Sequence, residues 1–107
     1  MQLFLNNFSA TLTAPAGDAD LSITIEPAQA AKLVGLGAGD YYLLTLVERD
    51  GLGNDTSWEI VKATAVAAGV VTVERAQEST TAAGWPSGTI VQARLTAGFL
   101  NAVSATI

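Results

Sequence analysis

The sequence predicts a mainly β domain, a compact barrel or sandwich of about six antiparallel strands with one or two short helices, and three observations carry that expectation. Apolar and polar residues alternate with period two in residues 8–14, 21–26 and 58–66, the spacing that sends successive side chains to opposite faces of a strand. Branched and aromatic side chains crowd residues 41–49 and 70–75, as strands prefer. Between these runs stand groups of Gly, Pro, Asn and Asp, and short strands divided by frequent turns favour a barrel or sandwich.

Each element can be justified in chain order. The apolar start, residues 1–5, suits pairing at a sheet edge or against a neighbouring subunit. In FSATLTA, Phe8, Ala10 and Leu12 alternate with Ser9, Thr11 and Thr13, a half-buried strand. Pro15-Ala16-Gly17-Asp18 breaks it. Leu21, Ile23 and Ile25 then interleave with Ser22, Thr24 and Glu26, so the pair reads as a hairpin. Pro27 opens a short helix ending at Gly35, because its missing N–H costs nothing at the first helical position.

The loop 35–40 leads to YYLLTLVER, a central strand over residues 41–49. The turn 50–55 follows, and residues 56–66 return antiparallel to it. In that strand Trp58, Ile60, Lys62, Thr64 and Val66 share one parity and Glu59, Val61, Ala63 and Ala65 the other. Trp58 is assigned to the core. Ala67-Ala68-Gly69 makes a tight connection to residues 70–75, since glycine accepts positive φ. A polar loop, 77–89, separates this hairpin from a third strand at 90–95, completing a meander. A weak final helix at 96–107 would place Phe99, Leu100 and Val103 on one face.

One domain is expected from 107 residues. Hydrophobic residues make up 50% and charged ones 14%, so apolar surface is left over for contacts with other chains. The net charge is −5 and the five cations are scattered, which disfavours nucleic acid. No apolar run reaches transmembrane length, so membrane insertion is not expected. Without cysteine or histidine, disulfides, thiolate metal sites and the commonest acid/base group are excluded together.

The segments WEIVK (58–62), VTVERAQESTTA (71–82), WPSGT (85–89) and RLTAG (94–98) resemble a small β-module that recurs in tail, baseplate and fibre-associated proteins of double-stranded DNA bacteriophages. In that module the central loop reads arginine, glycine, glutamine, glutamate, glycine, two threonines, alanine. Here it reads Arg75-Ala76-Gln77-Glu78-Ser79-Thr80-Thr81-Ala82, with Ala76 and Ser79 in place of both glycines. The likeness covers about a third of the chain, and LFLNNFSATLTAPAGDADLSI adds a weaker one.

The resemblance implies an accessory structural protein of a tailed-phage virion, made in the host cytoplasm, that self-associates or docks on larger virion proteins. Tail, baseplate or fibre is the expected location, with no reaction and no cofactor. A homo-oligomer is the default geometry and a trimer suits such assemblies by analogy. Rival readings are a head decoration protein and a module binding a receptor glycan through Trp85.

Candidate sites follow from these readings. Interface positions are Trp85, Pro86, Phe99, Leu100 and Ile107, since aromatic and apolar groups anchor contacts. Glu59, Glu74 and Glu78 could supply paired carboxylates, with Glu59 facing Glu74 across the hairpin, but ordinary solvent-facing charges neutralised by Lys62 or Arg75 explain them more simply. Asp50, Asn54 and Asp55 lack calcium-loop spacing and read as a turn. Gly35, Gly37 and Gly39 precede a strand where a phosphate loop would precede a helix. No catalytic or metal site is assigned.

Overall fold

The computed structural model describes residues 2–5 and 8–94. The helix expected at 96–107, with Phe99, Leu100 and Ile107, lies outside the described residues. Among the described residues seven strands and one short helix run in the order β1 (Gln2–Leu3), β2 (Ser9–Thr11), β3 (Ser22–Thr24), α1 (Pro27–Ala30), β4 (Tyr41–Arg49), β5 (Asp55–Ala67), β6 (Val70–Gln77) and β7 (Ile90–Gln92). Six of the strands form one curled antiparallel sheet, a half-barrel, in the spatial order β2-β7-β4-β5-β6-β3. The mainly β expectation holds.

Strand β1 pairs parallel with β4, Leu3 opposite Tyr42. Tyr42 also pairs with Ala63 of β5, so β1 occupies the edge of β4 that β7 takes further along. The two ends of the sheet meet at a bridge between Leu12 and Ile25, reinforced by the Thr13 amide donating to the Thr24 carbonyl at 2.9 Å. Residues 8–26 are therefore a seam joining β2 to β3 rather than the expected hairpin, because each strand spends its ladder on a different partner, β2 on β7 and β3 on β6.

The expected meander is also corrected. β4, β5 and β6 are consecutive neighbours, but β7 pairs with β4 and β2, not with β6. The loop between β6 and β7 crosses the end of the barrel, held by reciprocal bonds between Ala16 and Trp85 (2.8 and 2.7 Å), and this carries the chain to the far edge of β4. Pairing of distant strands depends on that crossing, which local periodicity does not encode.

Alternation puts Phe8, Ala10 and Leu12 inside, with Ile23 and Ile25 from β3 and Tyr42, Leu44 and Leu46 from β4. Val61 and Ala63, Val71 and Val73, and Val91 complete the core. In β5 the register shifts between Ala63 and Ala65, so Thr64 is an extra residue and the parity flips after it. This bulge lets Val66 pack against the core although Ile60 and Lys62 face outward.

Helix α1 is one turn long. Pro27 opens it, as expected, and no side chain caps it. The β5–β6 hairpin forms as expected, but its turn is two residues rather than three, since Ala67 belongs to β5; Ala68 at φ 49° and Gly69 at φ 89° make the pairing of positive φ values whose twist suits a hairpin. A Cβ on Gly69 would lie 2.7 Å from the Ile25 carbonyl oxygen, which is backbone and cannot turn aside. Gly69→Ala should therefore lower stability by about 2–3 kcal/mol from combined clash and strain. Chemical denaturation would read this as a lower midpoint at unchanged slope.

Candidate functional site

Two features stand on opposite faces of β5 at adjacent positions, Glu59 inside and Trp58 outside. The inward parity that carries Val61 and Ala63 also carries Glu59, which is 0% exposed. On β6, Val71, Val73 and Arg75 share the inward parity. Arg75 donates from Nε to Glu59 Oε2 (2.7 Å) and from Nη2 to Glu59 Oε1 (2.9 Å), a two-pronged pair of the strongest geometry.

The carboxylate accepts three more bonds: from the Ala76 amide at 3.0 Å, the Ala83 amide at 3.1 Å and Trp85 Nε1 at 2.9 Å. Arg75 also donates to the carbonyls of Gly17, Asp20 and Ala83 at 2.6, 2.9 and 2.7 Å. Both charges are thus surrounded by hydrogen-bond partners, as a buried pair requires. Burial pushes the Glu59 carboxyl up, but the bonds from Arg75, Trp85, Ala76 and Ala83 together outweigh it and hold it below the ordinary value. The same contact with Glu59 raises Arg75. An ionised carboxylate so occupied is a structural anchor; it has no proton to give near neutrality and no exposed oxygen to offer.

The anchor shapes the loop around it. Opposite β5 residues Ile60 and Lys62 stand Gln77 and Glu74, so β6 carries one extra residue there. Ala76 takes φ 54° at this bulge, and Glu78 and Ser79 follow at 51° and 66°. These are left-handed conformations that side chains oppose, and the Ala76 amide bond to Glu59 is part of what fixes them. Ala76→Gly and Ser79→Gly should each raise stability by about 0.5–1 kcal/mol, seen as a higher melting temperature. Thr80 completes the loop by accepting from the Ile60 amide and donating to the Gln77 carbonyl.

On the outer face, Trp58 lies opposite Val47, and Val47 lies opposite Ile90. Trp58 is 53% exposed while Val47 is 1% exposed. A closed ring of four side chains spans this region: Arg49 Nε to Asp55 Oδ1 (3.0 Å), Arg49 Nη2 to Gln92 Oε1 (3.3 Å), Arg94 Nε to Gln92 Oε1 (2.9 Å) and Arg94 Nη1 to Asp55 Oδ2 (3.0 Å). Arg94 and then Arg49 hold the Asp55 carboxyl below its ordinary value. Further along the same face, Lys62 Nζ sits 4.4 Å from the centre of the Tyr41 ring.

The structure reverses the two tryptophan assignments. Trp85, expected at an interface, is buried with its indole N–H on Glu59, so its ring offers no anchor or sugar platform. Trp58, expected in the core, is the exposed one. Pro86 is exposed. Glu59 and Glu74 do not face each other: Glu59 is buried and Glu74 pairs with Lys62 across the strands. The signal for Glu59 was present in its shared parity with Val61 and Ala63, outranked by the size of the neighbouring indole.

The Asp50 turn is a plain turn. Its carboxyl accepts from the Leu52 and Asn54 amides at 2.8 and 3.0 Å, and these bonds lower its pKa. Among the described residues no cluster of acidic side chains is arranged to hold a metal ion. No helix among them is long and apolar enough to cross a membrane. Searches against known protein families and curated proteins find no match to this chain.

Proposed function

We propose that this protein is an accessory structural component of a tailed-phage virion, associated with the tail, baseplate or fibre, that works by self-association or by docking on a larger virion protein. The observation that carries the reading is that three of the four motif segments meet at one point. WEIVK contributes Glu59, VTVERAQESTTA contributes Arg75 and Ala76, and WPSGT contributes Trp85, all bonded to a single carboxylate. These three segments are therefore one physical unit, which gives a reason for them to occur together.

The loop supports the same reading. Ala76 and Ser79 stand where the module carries glycine, and both have positive φ, the conformation for which glycine is the default. A structural role also suits the chemistry, since the buried charged pair is saturated by its own chain while a large aromatic faces outward. Immunogold labelling of intact particles, with mass spectrometry of purified particles, tests this. The reading expects a fixed copy number and label at the tail; label over the head would favour a decoration role, and absence from particles would overturn a virion function.

A further inference from the structure

We propose that the Asp50–Gly51 peptide is a folding-gated site of spontaneous isomerisation, closed while the β4–β5 turn keeps its hydrogen bonds and open when that turn lets go. The inference stands apart from the virion reading, because the only co-reactant is water. Asp50–Gly51 is the single Asp-Gly step in the sequence, and no Asn-Gly step occurs. It lies within an exposed run, residues 48–58, at the tip of a hairpin, where local opening concentrates.

Gly53 has φ 82°, a left-handed conformation that favours glycine. Gly51 has no such need: its φ lies outside that region, and a Cβ there would have nothing within 4 Å. What glycine does at this position is leave its amide nitrogen unshielded beside the Asp50 carboxyl. In the isomerisation that nitrogen attacks Asp50 Cγ. The N–Cγ bond forms, the Cγ–O bond breaks, and the hydroxyl of the protonated carboxyl leaves with the Gly51 amide proton as water. Water then adds to either carbonyl of the five-membered ring. Opening at Cγ restores aspartate; opening at the Asp50 main-chain carbonyl leaves the chain running through Cβ and Cγ, one carbon longer and unchanged in mass.

The turn is the gate. Asp50 Oδ1 accepts from the Leu52 amide at 2.8 Å and the Asn54 amide at 3.0 Å, so the side chain caps its own turn. The Asp50 main-chain oxygen accepts from the Gly53 amide at 3.1 Å, and its amide donates to the Asn54 carbonyl at 2.9 Å. These bonds commit the carboxyl to amides beyond Gly51, favour its ionised form and fix the peptide that would have to swing. An ionised carboxyl has no hydroxyl to lose. After isomerisation the longer chain no longer matches the Arg49–Asp55 register, so the original turn does not re-form.

Peptide mapping of the full chain, with isoaspartate counted by enzymatic methylation, tests this after weeks at neutral pH with and without denaturing guanidinium. Isoaspartate should accumulate at Asp50 at least about tenfold faster in denaturant than in the folded protein. Gly51→Ala should melt as the wild type does and lose at least about tenfold of the rate in denaturant. Equal rates in folded and unfolded protein would overturn the gate. Absence of isoaspartate at Asp50 in denaturant, or a Gly51→Ala rate equal to that of the wild type, would overturn the site.

Discussion

Glu59→Gln is expected to destabilise the protein by about 3–5 kcal/mol, the cost of leaving a buried charge without its partner. The amide would keep the shape of the side chain and an acceptor for Trp85. It would place an N–H₂ group at the Oε2 position, where Arg75 Nε and the Ala76 amide already donate, and the Arg75 charge would remain, 7% exposed, without its buried counter-charge. The loss is large against the 5–15 kcal/mol total of a typical domain. It should appear as a lower denaturation midpoint and as faster proteolysis within residues 77–89, a segment that Glu59 helps tie to the barrel through Ala83 and Trp85.

The same substitution should change the pH dependence. The folded Glu59 pKa lies below its reference value of 4.5, so the folded state binds fewer protons than the unfolded one in that range. Its contribution is fully present above about 4.5 and is lost as pH falls towards and through the lower folded value. Asp50 and Asp55 are shifted in the same direction. Wild-type stability should therefore fall on acidification below about pH 4.5, and the fall should be shallower in Glu59→Gln. An equally steep fall in the variant would remove Glu59 as its cause.

Trp85→Ala is the second large effect, about 3–5 kcal/mol for an emptied indole site, with Glu59 also losing a donor. Trp58→Ala should stay within about 0.5 kcal/mol, as exposed substitutions do. This contrast inverts what strand alternation suggests. Urea titration of the two variants side by side checks it, and similar losses in both would contradict the placement of the rings.

That inversion shows where local pattern stops informing. β4 was legible in full, because nine consecutive strand-forming residues sit between a glycine-rich loop and an Asp-Gly turn. The turn at Ala68 and Gly69 was legible for the same reason. The alternation of Phe8, Ala10 and Leu12 was legible too, but not its partner, since β2 pairs with β7 some eighty residues later. Leu21 continues the apolar parity of Ile23 and Ile25 yet is 69% exposed, because it lies beyond the end of the strand.

In β5 the face was misread because size was weighed over parity. A charged residue among Val61 and Ala63 signals a buried pair only once its partner is known, and Arg75 reaches it through a bulge on the next strand.

A double-mutant cycle on Glu59 and Arg75, using Glu59→Gln, Arg75→Met and the pair, tests most directly whether one buried contact unites the motif segments. The account predicts a coupling of at least about 2 kcal/mol, with the double variant losing much less than the two single losses summed. Additive losses, with coupling near zero, would contradict it.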